Sequence, residues 1–186
     1  MNEMKKKNHL KNKQEAKKNQ ITIEIVEYKP EYKLHYKNLN YEWLEKFFEI
    51  ESTDEIILSN PEKEIIEKNG FIFFALLKDN VIGTCTLMKH DNVHYELSKM
   101  CVTEKYQGKG VGEKLIDKVI SKASQLGVEK IVLSTNSKLT AAFTLYKKKG
   151  FQIIESPLAL DFNYKRESIY MCLNLNDDCL RENKKN

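Results

Sequence analysis

A glycine-rich loop, which lies between a strand pattern and a helix pattern, has the residue types that bind a phosphate group. Residues 107–112 read Gln-Gly-Lys-Gly-Val-Gly. Glycine lacks the Cβ atom that would keep an anion away from the backbone, so N–H groups at the helix start can point at the anion. The helix dipole adds a partial positive charge there, and Lys109 can add a full one. The sequence therefore predicts an anion site at this loop.

The segments around the loop predict a strand, a helix and a second strand. Residues 93–102 end in an apolar strand pattern just before the loop. After the loop, apolar residues such as Val111 and Leu115 recur at helical spacing, and Gly127 fits a C-terminal stop. Residues 130–135 then form a short apolar run that is typical of a buried strand. This order implies a parallel strand pair with a right-handed connection.

The loop resembles the signature of a known family. Gln107-x-x-Gly110-x-Gly112 after a strand is similar to the Gln/Arg-x-x-Gly-x-Gly/Ala signature of the GNAT superfamily of N-acetyltransferases. Glu104 departs from the pattern, because many members have proline there. The resemblance covers roughly residues 71–175. It implies a single α/β domain with a mixed, mostly antiparallel sheet of six or seven strands, in which helices flank a central parallel pair, and acetyl-coenzyme A as co-substrate.

A second motif of the family follows the second strand. The helical run at residues 142–151, which contains Tyr146 and ends in Gly-Phe, resembles this motif, and Asn136 stands just past the strand. By resemblance, Tyr146 is the general acid that protonates the leaving thiolate. Asn136 bonds the pantetheine or orders a water near the sulfur. The residues alone also fit a half-buried helix tyrosine and a cap at the end of a strand.

Glu96 is the candidate general base. Strict alternation places His94, Glu96, Ser98 and Met100 on one face of the strand before the loop. A carboxylate there can take the proton of an attacking amine, directly or through water, or hold an ammonium substrate. Some members of the family share the Glu-Leu-x-Lys/Arg arrangement. His94 is a second candidate, and a solvated or structural position is the alternative for both residues.

The resemblance also implies a set of coenzyme contacts. In the GNAT pattern the strand that ends at Val102 separates from the strand that ends at Thr135, and unpaired backbone groups in the gap bind the pantetheine. The N–H of Met100 is then the candidate oxyanion donor. The complete set comprises Met100, Val102, Gln107, Gly108, Lys109, Gly110, Val111, Gly112 and Asn136.

Two nucleotide-binding patterns fit the loop poorly. Residues 71–77, 81–88 and 93–102 predict three consecutive antiparallel strands, whereas a Rossmann unit alternates strands with helices. The glycine spacing is Gly-x-Gly-x-Gly in place of Gly-x-Gly-x-x-Gly. No Ser or Thr follows a Gly-Lys pair in the frame that a phosphate-binding P-loop requires.

The N-terminal half predicts a strand and the helices of the acceptor side. Residues 21–28 alternate as a strand, and residues 32–48 have an irregular helical pattern that predicts a break at residues 38–40. Further helices are predicted to start at Ser52 and at Asn60-Pro61. By resemblance these first helices line the acceptor side, although aromatic residues at helical spacing also fit a core. The aromatic residues concerned are Tyr32, Tyr36, Trp43 and Phe47.

The C-terminal part predicts two further strands. Residues 151–154 and 168–174 are expected to extend the sheet as an antiparallel pair. Tyr164 and Arg166, in the loop between these strands, can reach the acceptor cleft.

Composition separates a basic N-terminal tail from the rest of the 186-residue chain. Residues 1–20 carry seven Lys and two Glu, a local charge of +5, so the remaining residues sum to −1 of the total of +4. We expect a disordered tail at 1–20, a GNAT domain at 21–175 and a polar C-terminal tail at 176–186. Nucleic-acid binding is not expected outside the basic tail, which lacks interleaved aromatic residues.

The hydropathy of the chain favours a cytoplasmic protein, and its cysteine spacing favours free thiols. The sequence has no apolar run of 18 residues and no apolar core of a secretory signal near its start, so no membrane association is expected. Its four cysteines lack Cys-x-x-Cys spacing and are expected to be buried or free thiols, without a metal site. A monomer and a homodimer both stay open.

These observations together predict an enzyme, an acyltransferase of the GNAT type. It is expected to transfer the acetyl group of acetyl-CoA to a primary amine of a small molecule or amino acid derivative, by direct attack in a ternary complex. Two alternatives stay open, namely a protein N-terminal or lysine acetyltransferase and a non-catalytic regulatory module that binds acyl-CoA.

Overall fold

The computed structural model describes residues 22–155 and 168–176. Within them one seven-stranded sheet has the order β1-β2-β3-β4-β5-β7-β6. Its strands are β1 (Ile23–Glu27), β2 (Phe71–Leu77), β3 (Asn80–Lys89), β4 (His94–Val102), β5 (Lys130–Thr135), β6 (Gln152–Ile154) and β7 (Ile169–Asn174). The α-helices are α1 (Lys33–Phe47), α2 (Ser52–Ser59), α3 (Val111–Gln125) and α4 (Thr140–Lys148). The predicted tail at 1–20, nearly all of that at 176–186, and the loop with Tyr164 and Arg166 lie outside the described residues.

The sheet is mixed, as predicted, with one parallel pair at its centre. β4 and β5 run parallel, and every other neighbouring pair is antiparallel. The parallel pairing covers three residues of each strand and ends at Glu96 opposite Val132. Beyond that point residues 97–102 and 133–135 have no ladder between them, so the strands part toward their C-terminal ends.

Helices cover both faces of the sheet. One apolar core lies against α3 and α4, and Leu115, Ile116 and Val119 of α3 are fully buried in it. A second core lies against α1 and α2, with Tyr36 and Leu44 of α1 buried there. The flanking helices that the GNAT resemblance implies are thus confirmed. None of the helices in the described residues has the length and apolar composition needed to span a bilayer.

A β-bulge interrupts β4 at Lys99 and Met100. The pairing with β3 shifts register between Thr84 and Thr86, where one β3 residue faces two residues of β4. Lys99 has a φ of +47°, in the left-handed region that residues other than glycine rarely adopt. Such a conformation costs on the order of 1–3 kcal/mol and persists only where the surrounding structure holds it.

The bulge reverses the alternation of β4. Tyr95 and Leu97 face the core under α3 and α4. Met100, the second residue of the bulge, and Val102 after it pack against that same core. Glu96, between Tyr95 and Leu97, therefore faces the α1 and α2 side. The predicted shared face, which grouped Met100 with Glu96, is wrong because the bulge inserts one extra residue between them.

Helix α1 is continuous through the predicted break at residues 38–40. Asn40 is buried, and its side-chain Nδ2 donates to the carbonyl of Tyr36 at 2.9 Å. Asparagine disfavours helices because its side chain competes with the backbone for hydrogen bonds, and this one is satisfied one turn back in the helix. The pattern of asparagines therefore does not end the helix.

The second helix and the segment after it also differ from prediction in detail. The N-cap of α2 is Glu51, one residue before the predicted Ser52, and it forms a reciprocal capping box with Asp54. After Pro61 the chain makes a single π-helical turn at Glu62–Ile66 in place of the predicted short α-helix.

Candidate active site

A cleft of about 590 Å³ lies beside the C-terminal half of β4. Its walls come from that strand, the glycine-rich loop, the starts of α3 and α4, and the C-terminal half of α1. Most of the residues predicted to bind the coenzyme line it, namely Met100, Val102, Gln107, Gly108, Gly110, Val111 and Gly112. Four other predicted site residues, Lys109, Asn136, Tyr146 and Glu96, lie outside this lining.

Gly108 and Gly110 are required by the backbone conformation of the loop. Their φ angles are +70° and +78°, and Gly110 is the N-cap of α3. A Cβ atom at either position would meet no protein atom within 4 Å, so strain rather than crowding excludes other residues. Gly112 differs, because a Cβ there would lie 3.1 Å from Met100 Cε and 3.2 Å from Leu145 Cδ2. That glycine permits the close packing of α3 against β4 and α4.

Two other residues of the loop make contacts within the protein. The side-chain Nε2 of Gln107 donates to the carbonyl of Val102 at 2.9 Å, which ties the loop to the end of β4. The ammonium of Lys109 lies 5.4 Å from the centre of the Tyr106 ring, a cation–π distance. Lys138, in the turn before α4, lines the cleft and was missed in the sequence, where a lysine before a helix has no distinguishing pattern.

Tyr146 is buried beside Met100. Tyr146 is 7% exposed, its hydroxyl lies 3.9 Å from Met100 Sδ and its ring packs against Phe151. Burial raises the pKa of the phenol well above its ordinary value. The hydroxyl is therefore protonated at neutral pH, the state that a proton donor needs, and Met100 connects it to the cleft.

Glu96 is buried at the point where β4 and β5 part. It is the last residue of β4 in the parallel ladder, and its side chain is 8% exposed. The carboxylate Oε2 lies 3.0 Å from Nε2 of His90, whose side chain is 20% exposed. His90 was missed as a site residue, because in the sequence it belongs only to a turn pattern. His94, the second candidate base, instead contacts Asp91 at 2.7 Å.

Asn136 closes the turn between β5 and α4. Its side-chain Oδ1 accepts a hydrogen bond from the N–H of Lys138 at 3.0 Å, and its carbonyl accepts one from Leu139 at 3.0 Å. This is the geometry of a cap, the alternative to the predicted coenzyme contact of Asn136. The neighbouring Thr135 is buried, and its Oγ1 has no hydrogen-bond partner among the described residues. Ser98 Oγ on β4 is likewise buried without a partner in the part that the structure describes.

The predicted acceptor-side aromatic residues divide into two groups. Tyr36 is fully buried, its hydroxyl lies 2.9 Å from Thr86 Oγ1, and Tyr32 packs on Phe74, so both belong to the core. Trp43 and Phe47 line the cleft from α1. Cleft and core aromatic residues share one helical spacing, which is why the sequence does not separate them.

The model of the "Acetyltransferase (GNAT) family" matches residues 32–151, about two thirds of the chain, and the chain belongs to that family.

Named relatives and solved structures also agree with membership of the GNAT family. The uncharacterized N-acetyltransferase YvbK of Bacillus subtilis is 31% identical over 103 residues, which are 54% of this chain and 66% of that protein. The match thus spans slightly less than two thirds of the length of that curated relative. A GNAT acetyltransferase of Staphylococcus aureus Mu50 superimposes with a TM-score of 0.74 at 27% identity, over 83% of this chain and 99% of that one. The fold is also similar to yncA, a putative acetyltransferase of Salmonella typhimurium solved with acetyl-CoA, with a TM-score of 0.67 at 18% identity and coverages of 83% and 95%.

Proposed function

We propose that this protein is an N-acetyltransferase that transfers the acetyl group of acetyl-CoA to a primary amine. The observation that carries the proposal is the cleft beside the parted strands, whose lining includes the glycine-rich loop at the start of α3. Membership of the GNAT family supports it. We further propose that the amine belongs to a small molecule or an amino acid derivative.

The residues of the cleft fit the chemical groups of acetyl-CoA. The left-handed glycines expose backbone N–H groups at the start of a helix, which suits a pyrophosphate. Residues 97–102 and 133–135 have no ladder between them, so their main-chain groups can pair with the amides of a pantetheine arm. The buried Thr135 Oγ1, without a protein partner among the described residues, gives that arm a further hydrogen-bonding group.

Three groups of the chain then serve the transfer. When bound, acetyl-CoA supplies a thioester whose carbonyl carbon an amine can attack. We assign the N–H of Met100, the second residue of the bulge, as the donor to the carbonyl oxygen. Glu96 takes the proton that the amine loses as its C–N bond forms. The Tyr146 hydroxyl gives a proton to the sulfur as the C–S bond breaks, and solvent restores that proton.

The burial of Glu96 favours a small acceptor. Its side chain is 8% exposed and pairs with His90, so the amine must enter the layer between the sheet and α1 to reach it. A small amine meets less steric obstruction there than a residue on a folded protein surface does. Trp43 and Phe47 on the same side supply apolar contact area.

The test is release of free thiol from acetyl-CoA over a panel of amines, with the acetylated product identified by mass spectrometry. The panel includes small primary amines, free amino acids, and peptides with a free N-terminus or a lysine. Turnover that is selective for the small amines is the expected result. Turnover with peptides alone would instead assign a protein acceptor, and coenzyme binding without turnover of any amine would favour the non-catalytic module.

A further inference from the structure

A buried ion pair joins α2 to the bulge of β4. Lys99 Nζ lies 2.6 Å from Asp54 Oδ1, and the two side chains are 7% and 0% exposed. In each of the other ion pairs of the described residues, at least one side chain is 20% exposed or more. Two charges lose their hydration when they are buried, and such a pair is weak evidence for added stability. A role in fixing a particular conformation is therefore worth testing.

Both oxygens of the Asp54 carboxylate are engaged. Oδ2 accepts a hydrogen bond from the N–H of Glu51 at the N-cap of α2, at 3.2 Å, while Oδ1 receives Lys99. The carboxylate is thus fixed by its own helix and holds the ammonium in place. The backbone of Lys99 has the left-handed φ of +47° at the bulge. Its side chain is therefore anchored at the one residue of β4 whose conformation needs external support.

The next residue along the chain is Met100, which the proposed mechanism uses. The bulge turns Met100 onto the α4 side of the sheet, where its Sδ lies 3.9 Å from the Tyr146 hydroxyl and its Cε packs over Gly112. Relaxation of Lys99 to an ordinary strand conformation would rotate Met100 away from both groups.

We propose that Lys99 and Asp54 are positioning residues for the acetyl transfer. Their ion pair holds the bulge and so fixes the position of Met100, which lines the cleft and whose N–H is the proposed oxyanion donor. This inference rests on the proposed function. It assigns a catalytic consequence to α2, an element that contributes no residue to the lining of the cleft.

The decisive variant replaces both charges, Lys99→Met with Asp54→Val. Apolar replacements of similar volume leave no unpaired buried charge, so the fold is expected to survive. We expect the melting temperature and the Kd of acetyl-CoA to change little, while kcat falls at least tenfold. Lys99→Arg keeps the charge and is expected to retain at least a third of kcat. The matched control is Lys33→Met with Glu62→Leu, which removes a 2.8 Å ion pair between α1 and the π-helical turn and leaves kcat unchanged.

A second readout is independent of turnover. Methionine methyl NMR reports the environment of Met100 Cε beside Gly112, and we expect its resonance to move in the double variant and to stay in place in the control. The inference is overturned if the folded double variant keeps both kcat and the Met100 resonance, or if kcat falls only in proportion to the folded fraction. Failure of the unmodified protein to bind acetyl-CoA would overturn the proposed function instead, and the NMR result would still decide whether the ion pair positions Met100.

Discussion

At the scale of single residues, the proposed proton donor and proton acceptor lie on opposite faces of the sheet. Tyr146 faces the core under α3 and α4, whereas Glu96 faces α1 and α2. Each group is buried near the place where β4 and β5 part. An amine and a thioester that meet in that gap would therefore have a base on one side and an acid on the other.

Tyr146→Phe tests the acid role. The substitution removes only the hydroxyl, and the ring contact with Phe151 is retained. Because a positioned acid contributes about 10² to 10⁴ in rate, we expect kcat to fall at least tenfold, with the Kd of acetyl-CoA within twofold. Steady-state kinetics and calorimetric titration measure the two quantities. An unchanged kcat would remove Tyr146 from the acid role.

Glu96→Gln tests the base role. The amide keeps the size of the carboxylate but cannot accept the proton, so we expect kcat/KM for the amine to fall about 10²-fold. The fall is expected to shrink at high pH, where hydroxide can take that proton in place of the carboxylate. Glu64→Gln is the matched control, because that carboxylate pairs with Lys68 on a helical turn outside the cleft. Equal rates for both variants across the pH range would contradict the assignment.

At the scale of elements, the glycine-rich loop allows a test that separates binding from folding. Gly110 at the start of α3 and Gly127 just past its end have φ angles of +78° and +70°, both in open space. Alanine at either position adopts a left-handed conformation at a cost of roughly 1–2 kcal/mol. The two substitutions are therefore expected to lower the free energy of unfolding by similar amounts.

Only Gly110→Ala is expected to weaken coenzyme binding. Strain at that position shifts the backbone of a loop that lines the cleft, so we expect the KM for acetyl-CoA to rise several-fold. Gly127→Ala is expected to leave the KM unchanged, because it lies at the other end of the helix. Denaturant unfolding together with steady-state kinetics on both variants makes the comparison. A similar rise in KM for both would mean that loss of stability, and not the loop geometry, explains the effect.

Local sequence patterns predicted most strands and helices of this domain. The bulge and the partner of Glu96 were missed because they depend on pairing between residues far apart in the chain or in different strands. The bounds of β5, residues 130–135, follow from one short apolar run, and the glycine loop and the meander of β2 to β4 follow from spacing. The bulge at Lys99 has no such signal, since it depends on the register with β3 and on Asp54, 45 residues away. The partnership of His90 with Glu96 likewise arises only when the β3–β4 hairpin forms.

At the scale of the whole molecule, binding of the coenzyme should stabilise the fold as a unit. Its cleft draws residues from α1, β4, α3 and α4, on both sides of the central parallel pair. A ligand that bridges these elements binds the folded state and not the unfolded chain. At a free concentration of about 100 times its Kd, such a ligand adds roughly 2.7 kcal/mol to the free energy of unfolding.

The most direct test follows thermal unfolding with saturating acetyl-CoA and then measures free thiol in the same sample after addition of amines. For a chain of this size the added stability corresponds to a rise of about 5 to 10 °C in the melting temperature. We predict that rise together with thiol release for one class of small amine. No rise at saturating acetyl-CoA would contradict the assignment of the cleft and the glycine-rich loop, on which the proposed function depends.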